Sequence, residues 1–220
     1  SKGSLKVGKL EPNTTYIGAY RYSENEMASI ALNGGITDKT TDANNSIEQT
    51  GNQPKTIGAH PSLTDFWEGE IAEIIVLQGD ISDEFYYEVQ SMLGERYGLN
   101  DEIDSDDDGV IDDRDLDKTD PSKWVEIPLE LRASPTSNYT PTSNLELWLE
   151  ATSANAVLKD NNNLIRKWFD WSGKGNLAIQ DNQANKPSYV ASGDYSSILF
   201  SDSSTTVLDL VTPETLGVLN

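Results

Sequence analysis

Residues 104–115 are a twelve-residue acidic stretch, DSDDDGVIDDRD, that constrains this chain more than any other part of its sequence. Carboxylates fall at positions 1, 3, 5, 9 and 12, and Gly109 falls at position 6, where a loop that wraps a cation turns sharply. Carboxylates this close repel one another unless a hard divalent cation neutralises them. The stretch therefore predicts a calcium site with six ligands: Asp104, Asp106, Asp108, Val110, Asp112 and Asp115. The aspartates would bind through their carboxylates and Val110 through its main-chain carbonyl.

A solvated acidic linker is the alternative interpretation of this stretch. A linker does not need a glycine at the turn position, and it does not need the apolar Ile111 at position 8. Both residues fit a folded loop better than an unstructured one.

The loop resembles an EF-hand calcium loop, with Asp115 at the position where glutamate is usual. A typical EF-hand has an amphipathic helix on each side, but Pro121 follows soon here and residues 114–118 show no helical apolar stripe. The run that ends at Asp120-Pro121 instead resembles a thrombospondin type 3 repeat, a family in which calcium replaces a hydrophobic core. This resemblance covers residues 104–121 and implies a second, weaker calcium site with these carboxylates: Asp113, Asp115, Asp117 and Asp120.

The charge balance narrows the possible partners. The chain has 37 acidic and 16 basic residues and a net charge of -21, which argues against nucleic acid and anionic membranes. It contains no cysteine, so it has no disulfide framework, and no apolar run is long enough for membrane insertion. Calcium-dependent loops work best where calcium is abundant, so we expect an extracellular or cell-surface location.

Alternating apolar patterns predict β structure on both sides of one helix. The helix is expected over residues 82–97, with Ser82 as N-cap, an apolar stripe that includes Val89 and Met92, and Gly98 as C-cap. Residues 36–55 are polar and are expected to form a long loop. The expected strands are residues 15–22, 27–32, 55–59, 70–77, 125–131, 145–149, 164–168, 198–200 and 207–210.

The two β regions resemble the halves of a laminin-G-like or concanavalin A-like jelly roll, a fold of secreted and surface proteins. The opening half resembles residues 145–151, LELWLEA, and residues 165–176, IRKWFDWSGKGN, with a fairly specific W.D.SG.GN pattern. The closing half resembles residues 66–77, which contain GEIAEIIV, and the helix that follows. The resemblance implies an all-β fold made of jelly-roll β-sandwich halves, one short C-terminal-type helix and a calcium-binding loop connector.

The halves occur in the reverse of the family's order. The resemblance implies four segments along the chain. They are the closing half with helix 82–97 (residues 1–100), the calcium-binding connector (101–122), a strand and a Ser/Thr/Pro linker (123–144), and the opening half (145–220). Three arrangements are compatible with this order: a window from a tandem array, a permuted domain whose halves dock within one chain, or a filament in which one copy completes the next. Self-association or neighbouring repeats are therefore expected partners, because half a sandwich exposes strand edges.

Catalytic constellations are weak in this sequence. The single histidine, His60, lies beside a proline, and no serine lies in a nucleophile elbow. Glu70 and Glu73 lie on one predicted strand, where jelly-roll glycosidases place their acids, but their spacing puts them on opposite faces. We therefore expect no enzymatic activity.

Glycan binding is the alternative to a purely structural role. Jelly rolls often bind sugars on aromatic platforms, and Trp67 and Trp171 are the candidates for exposed rings. The sequence thus favours a noncatalytic, calcium-stabilised structural or adhesive segment of an extracellular surface protein. A filament subunit, in which one copy completes the next, is one form that such a segment can take. A carbohydrate-binding module of a secreted glycan-active protein is the alternative.

Overall fold

The computed structural model describes the following residues: 10–23, 27–40, 55–63, 65–79, 81–106, 108, 110–112, 115, 117, 119–122, 144–153, 155–192, 195–201 and 205–212. This part of the chain is mostly β structure, with one α-helix, which confirms the coarse prediction of fold class. The chain divides into two compact units. Unit 1 comprises residues 1–49 and 80–141, and unit 2 comprises residues 50–79 and 142–220.

Unit 1 contains a three-stranded antiparallel sheet in the order β1-β2-β3. Its strands are β1 (Gly18–Ser23), β2 (Met27–Leu32) and β3 (Gly35–Thr40). Asn33 and Gly34 connect β2 to β3 with positive φ values of 50° and 88°, as a tight hairpin turn requires. The prediction of a loop over residues 36–55 is wrong for residues 36–40, because pairing with β2 makes this polar segment a strand. Residues 41–54 of the predicted loop lie outside the described residues.

The predicted helix of unit 1 is confirmed as α1 (Asp83–Tyr97). The hydroxyl of Ser82 accepts a hydrogen bond from the amide of Phe85, and Gly98 closes the helix in the left-handed region with φ 67°. The helix packs Leu93 and Tyr97 against a small apolar core. The core's buried members are Ile17, Leu99 and Ile103.

The described residues of unit 2 form ten strands. They are β4 (Lys55–Ile57), β5 (Gly69–Ile71), β6 (Glu73–Leu77), β7 (Leu145–Glu150), β8 (Val157–Lys159), β9 (Ile165–Phe169), β10 (Leu177–Ile179), β11 (Ser188–Ser192), β12 (Tyr195–Phe200) and β13 (Leu208–Val211). Their sheets have the orders β4-β13-β10-β9-β8, β11-β12-β5 and β6-β7. The predicted strand 70–77 divides at Ala72, and its two parts join different sheets.

Strands from the two sequence segments of unit 2 pair with each other. β4 pairs with β13, β5 with β12 and β6 with β7, all antiparallel. The predicted segment 1–100 is therefore divided between the units, since its residues 55–77 join the C-terminal segment. Most of the predicted segment 123–144, including the strand over residues 125–131, lies outside the described residues.

Side chains from all three sheets of unit 2 meet in one core. Trp168 is fully buried, and its Nε1 donates a hydrogen bond to the carbonyl of Glu150 at 3.1 Å. The buried residues of this core are Ile57, Leu147, Leu149, Ala151, Ile165, Trp168, Ala178, Ile198, Phe200 and Leu208. Burial of such apolar surface is the main stabilising contribution to the unit.

The W.D.SG.GN pattern has a physical explanation in unit 2. Asp170 accepts hydrogen bonds from the amide of Trp148, from the amide and hydroxyl of Ser172, and from the amide and side chain of Asn176. Burial alone would raise the pKa of Asp170, but these hydrogen bonds outweigh it and hold the pKa below its ordinary value. The ionised aspartate thus fastens the loop after β9 to strand β7.

We predict that Asp170→Asn lowers the free energy of unfolding by about 2 kcal/mol at pH 7, because an amide cannot accept all of these hydrogen bonds. The depressed pKa means that this contribution is full above the unfolded pKa of about 3.9 and is lost as the pH falls through the folded value. Urea denaturation across this pH range measures the difference. Asp181→Asn, at an exposed aspartate paired with Arg166, is the matched control.

A difference between Asp170→Asn and the parent that does not shrink in acid would contradict this assignment. An effect no larger than that of Asp181→Asn at neutral pH would do the same.

Candidate metal centre

The acidic loop begins at Asp104, shortly after α1 ends at Tyr97. The residue before it, Ile103, belongs to the small apolar core of unit 1. Ile103 is fully buried, and its carbonyl accepts the amide of Asp112 at 2.8 Å. The amide of Asp104 donates to the carbonyl of Asn33 at 3.3 Å. The first residue of the predicted calcium loop is thus bonded to the β2–β3 turn, and Asp112 is bonded to the buried Ile103.

Three carboxylates converge at this loop. Asp104, Asp106 and Asp108 each offer an oxygen, and these oxygens lie within 4.8 Å of one another. The amide of Asp108 donates to Oδ1 of Asp104 at 3.2 Å, and the amide of Val110 donates to Oδ1 of Asp108 at 2.7 Å. These hydrogen bonds curl the main chain around the carboxylates. Gly109, at the predicted turn position, lies outside the described residues.

The loop contains buried carboxylate oxygens without hydrogen-bond partners. Asp106 is only 2% exposed, and neither of its carboxylate oxygens accepts a hydrogen bond. One carboxylate oxygen of Asp108 and one of Asp115 are also buried and accept no hydrogen bond, and Asp115 is 4% exposed. A buried charged oxygen without a partner is strongly unfavourable, so a cation-binding loop explains this set of atoms better than a solvated linker does.

The electrostatics of the loop are consistent with the same explanation. Burial, followed by the charges of Asp108, Asp115 and Asp104, raises the pKa of Asp106 to about 7. The amide of Asp108 lies close enough to oppose this rise slightly, although it does not meet the geometry of a hydrogen bond. A divalent cation would reverse the balance, because it stabilises the ionised carboxylates.

Asp115 belongs electrostatically to the same group. Burial raises its pKa first, and the charges of Asp108, Asp117 and Asp104 add to that rise, while the amide of Asp117 opposes it. Its charge is therefore coupled to those of the acidic loop and of the following turn. Asp115 is not part of the group of oxygens within 4.8 Å of one another, so its role as the twelfth residue of a calcium loop stays a prediction.

Asp112 has a different environment from the other predicted ligands. Its two carboxylate oxygens accept hydrogen bonds from the amide and the hydroxyl of Ser105, each at 2.8 Å. It is not part of the group of oxygens within 4.8 Å. The structure thus shows that Asp112 closes the loop through Ser105, and its predicted role as a ligand stays a prediction.

The predicted second site is less developed. Asp113 lies outside the described residues, and Asp117 accepts a hydrogen bond from the hydroxyl of Thr119 at 3.0 Å. Asp120 accepts the amide and the hydroxyl of Ser122 at 3.1 and 2.6 Å. Among the described residues, only the first group of acids meets the distance for a shared metal ion. The second site stays a prediction.

The residues considered for catalysis lie in separate surroundings. Nδ1 of the exposed His60 is 2.6 Å from the hydroxyl of Ser62. Glu70 contacts the hydroxyl of Ser197, and Glu73 accepts the indole Nε1 of Trp148 at 2.6 Å. Each of these acids thus has a local polar partner in unit 2.

The candidate sugar-binding aromatics are exposed. Trp67 is 44% exposed and Trp171 is 47% exposed, both in unit 2. The amide of Trp171 donates to the carbonyl of Trp148 at 2.8 Å, which fixes its main chain. Trp148 is half-buried and Trp168 is core, so the exposed pair differs from the other described tryptophans.

Comparisons with protein-family models, with curated proteins and with solved structures give no match to this chain. The candidate metal centre is therefore supported by its own geometry.

Among the described residues, α1 is neither long nor apolar enough to cross a membrane, and no other segment forms a spanning helix.

Sequence reasoning missed the residues that hold the loop from outside. Gln90 of α1 and the Asn33-Gly34 turn both contact the loop, although they are distant from it in sequence. The Asn-Gly pair signals a hairpin turn, but nothing in it indicates what the turn packs against. For Gln90 the only signal is a polar residue beside the apolar stripe of the helix.

We predict that Asp106→Asn changes stability in opposite directions with and without calcium. In chelator it raises the free energy of unfolding by about 1–3 kcal/mol, because it removes a buried charge that its neighbours repel. In calcium it lowers that free energy relative to the parent, because a ligand is lost. Denaturant melts of both proteins in both buffers measure the crossover, with the exposed Asp101→Asn as control.

Destabilisation by Asp106→Asn of the same size in both buffers would mean that Asp106 has no role specific to a cation.

Proposed function

We propose that this chain is a noncatalytic, calcium-stabilised structural or adhesive segment of an extracellular surface protein. The observation that carries the proposal is the set of buried carboxylate oxygens without partners, on Asp106, Asp108 and Asp115, beside Asp104. These residues, with the carbonyl of Val110, would hold the ion. Bound calcium would supply positive charge and oxygen coordination, and no chemical step is assigned to it.

Calcium fits this donor set better than other common metal ions. The donors are carboxylate and carbonyl oxygens, whereas the softer metals prefer imidazole or thiolate ligands. The chain has no cysteine and a single histidine, which lies in unit 2. Magnesium demands a near-ideal octahedron and keeps most of its water, whereas calcium accepts several carboxylates in a flexible loop.

A structural role follows from what the loop connects. Its residues contact the helix, the small core and the strand turn of unit 1, so bound calcium would stabilise the packing of that whole unit. Such stabilisation is useful where calcium is plentiful, which is outside the cell. The large negative charge is also compatible with a soluble surface segment that does not bind nucleic acid.

For unit 2 we propose a laminin-G-like sandwich whose halves are permuted in sequence. The pairing of β4, β5 and β6 with strands of the C-terminal segment supports the arrangement in which the halves dock within one chain. The Asp170 network supports the assignment of the W.D.SG.GN segment. A filament would require these strands to exchange between copies, so we favour the single-chain form.

A carbohydrate-binding module is the second candidate function. The specific observation that favours it is the exposure of Trp67 and Trp171 on unit 2, since exposed indole rings are common sugar platforms. A glycan array with the parent and with Trp171→Ala tests this candidate. Saturable binding that the substitution abolishes would favour the module, whereas an absence of saturable binding would leave the structural role.

We predict that calcium raises the melting temperature of the chelator-treated chain by several degrees. Binding to the folded state alone adds about 2.7 kcal/mol when the free ion is at one hundred times its Kd. Thermal unfolding followed by circular dichroism measures this shift. Magnesium at equal ionic strength is the control, because it screens the surface charges to the same extent.

The same melting curve in calcium, in magnesium and in chelator would contradict the proposal.

A further inference from the structure

The candidate calcium loop depends on contacts from outside the loop. The turn between β2 and β3, which is distant in sequence, packs against its first residue. The carbonyl of Asn33 accepts the amide of Asp104. Asn33 is itself fixed by two hydrogen bonds with Ile17: its amide donates to the carbonyl at 2.8 Å, and its Oδ1 accepts the amide at 2.9 Å. Ile17 belongs to the same small core as Ile103, so the turn and the loop share their support.

Gly34 brings the turn into direct contact with the loop. A Cβ atom on Gly34 would lie 1.8 Å from the carbonyl oxygen of Asp104 and 2.4 Å from its carbonyl carbon. No side chain fits at that distance, so any larger residue must move the turn away from the loop. The left-handed φ of 88° also favours glycine at this position.

Gln90 of α1 holds the loop at its second residue. The side chain is buried, and its Nε2 donates to the carbonyl of Ser105 at 3.1 Å. Ser105 is also buried, and its amide and hydroxyl hold both carboxylate oxygens of Asp112. A chain of buried hydrogen bonds thus runs from the helix, through Ser105, to the residue that closes the loop.

We infer that Gly34 and Gln90 are positioning residues of the calcium loop, so that calcium affinity and the docking of the β1–β3 sheet form one coupled equilibrium. This inference rests on the proposed function. Asp104 and Ser105 are the positions where the outside contacts attach, and Asp106 follows them directly. A shift of this backbone would move the carboxylates out of their common arrangement.

The coupling is reciprocal by thermodynamic linkage. If docking of the turn favours the ion, then the ion must favour docking by the same factor. Calcium should therefore slow hydrogen exchange of the β1–β3 amides, although none of these strands contributes a ligand. Loss of either positioning contact should weaken calcium binding without removing any carboxylate.

Calorimetric titration of the chelator-stripped full chain with calcium tests the inference. Gly34→Ala and Gln90→Met are the two variants, and each is expected to raise the Kd for calcium at least about fivefold. Gly18→Ala is the control in the same sheet, since a Cβ there meets nothing within 4 Å. Gly173→Ala is the control for strain at positive φ, since its φ is 81° and its surroundings are open. Both controls should bind calcium like the parent.

The possible outcomes separate this inference from the proposed function. Calcium binding by the parent with an unchanged Kd in both folded variants would overturn the positioning roles alone. No binding by the parent would overturn the proposed function and the inference together. If Gly34→Ala does not fold, the Kd of Gln90→Met and the hydrogen-exchange rates of the parent still test the inference. Hydrogen-exchange rates in β1–β3 that are the same with and without calcium would overturn the coupling.

Discussion

Repulsion among the buried carboxylates of residues 104–115 is the constraint on which unit 1 depends. Burial first, and then the charges of three neighbouring aspartates, disfavour the ionised form of Asp106 and raise its pKa. Among the described residues of unit 1, the apolar cluster beside the loop has three buried members, Ile17, Leu99 and Ile103. A divalent cation would turn the same carboxylates from a source of instability into a cross-link between the helix, the loop and the strand turn.

Unit 2 uses the opposite strategy. Its apolar core takes residues from three sheets, and Trp168 lies fully buried within it. Its half-buried Asp170 is satisfied by hydrogen bonds from the protein itself, which keep its pKa low. Asp170 and Asp106 therefore differ in their surroundings. The protein supplies hydrogen bonds to the carboxylate of Asp170, whereas neither carboxylate oxygen of Asp106 accepts one. That contrast is why we place the ion in unit 1.

Local sequence predicted much of this fold. The helix follows from Ser82, the apolar stripe and Gly98, and β2 and the core strands around Leu147 and Trp168 follow from alternation. Strand β3 could not be predicted, because its polar residues are ordered by pairing with β2. The division of residues 1–100 between two units also depends on long-range strand pairing. For the site, spacing brings Asp104, Asp106 and Asp108 together as predicted, but the bond of Asp112 to Ser105 and the support from Gly34 and Gln90 are tertiary contacts that spacing does not encode.

The most direct test of the account is a crystal structure of the chain grown in calcium, with anomalous scattering used to locate the ion. We expect one anomalous peak about 2.3–2.6 Å from oxygens of Asp104, Asp106, Asp108 and Asp115 and from the carbonyl of Val110. Well-ordered density for the loop with no peak among these oxygens, and with the Asp106 carboxylate hydrogen-bonded to water alone, would contradict it.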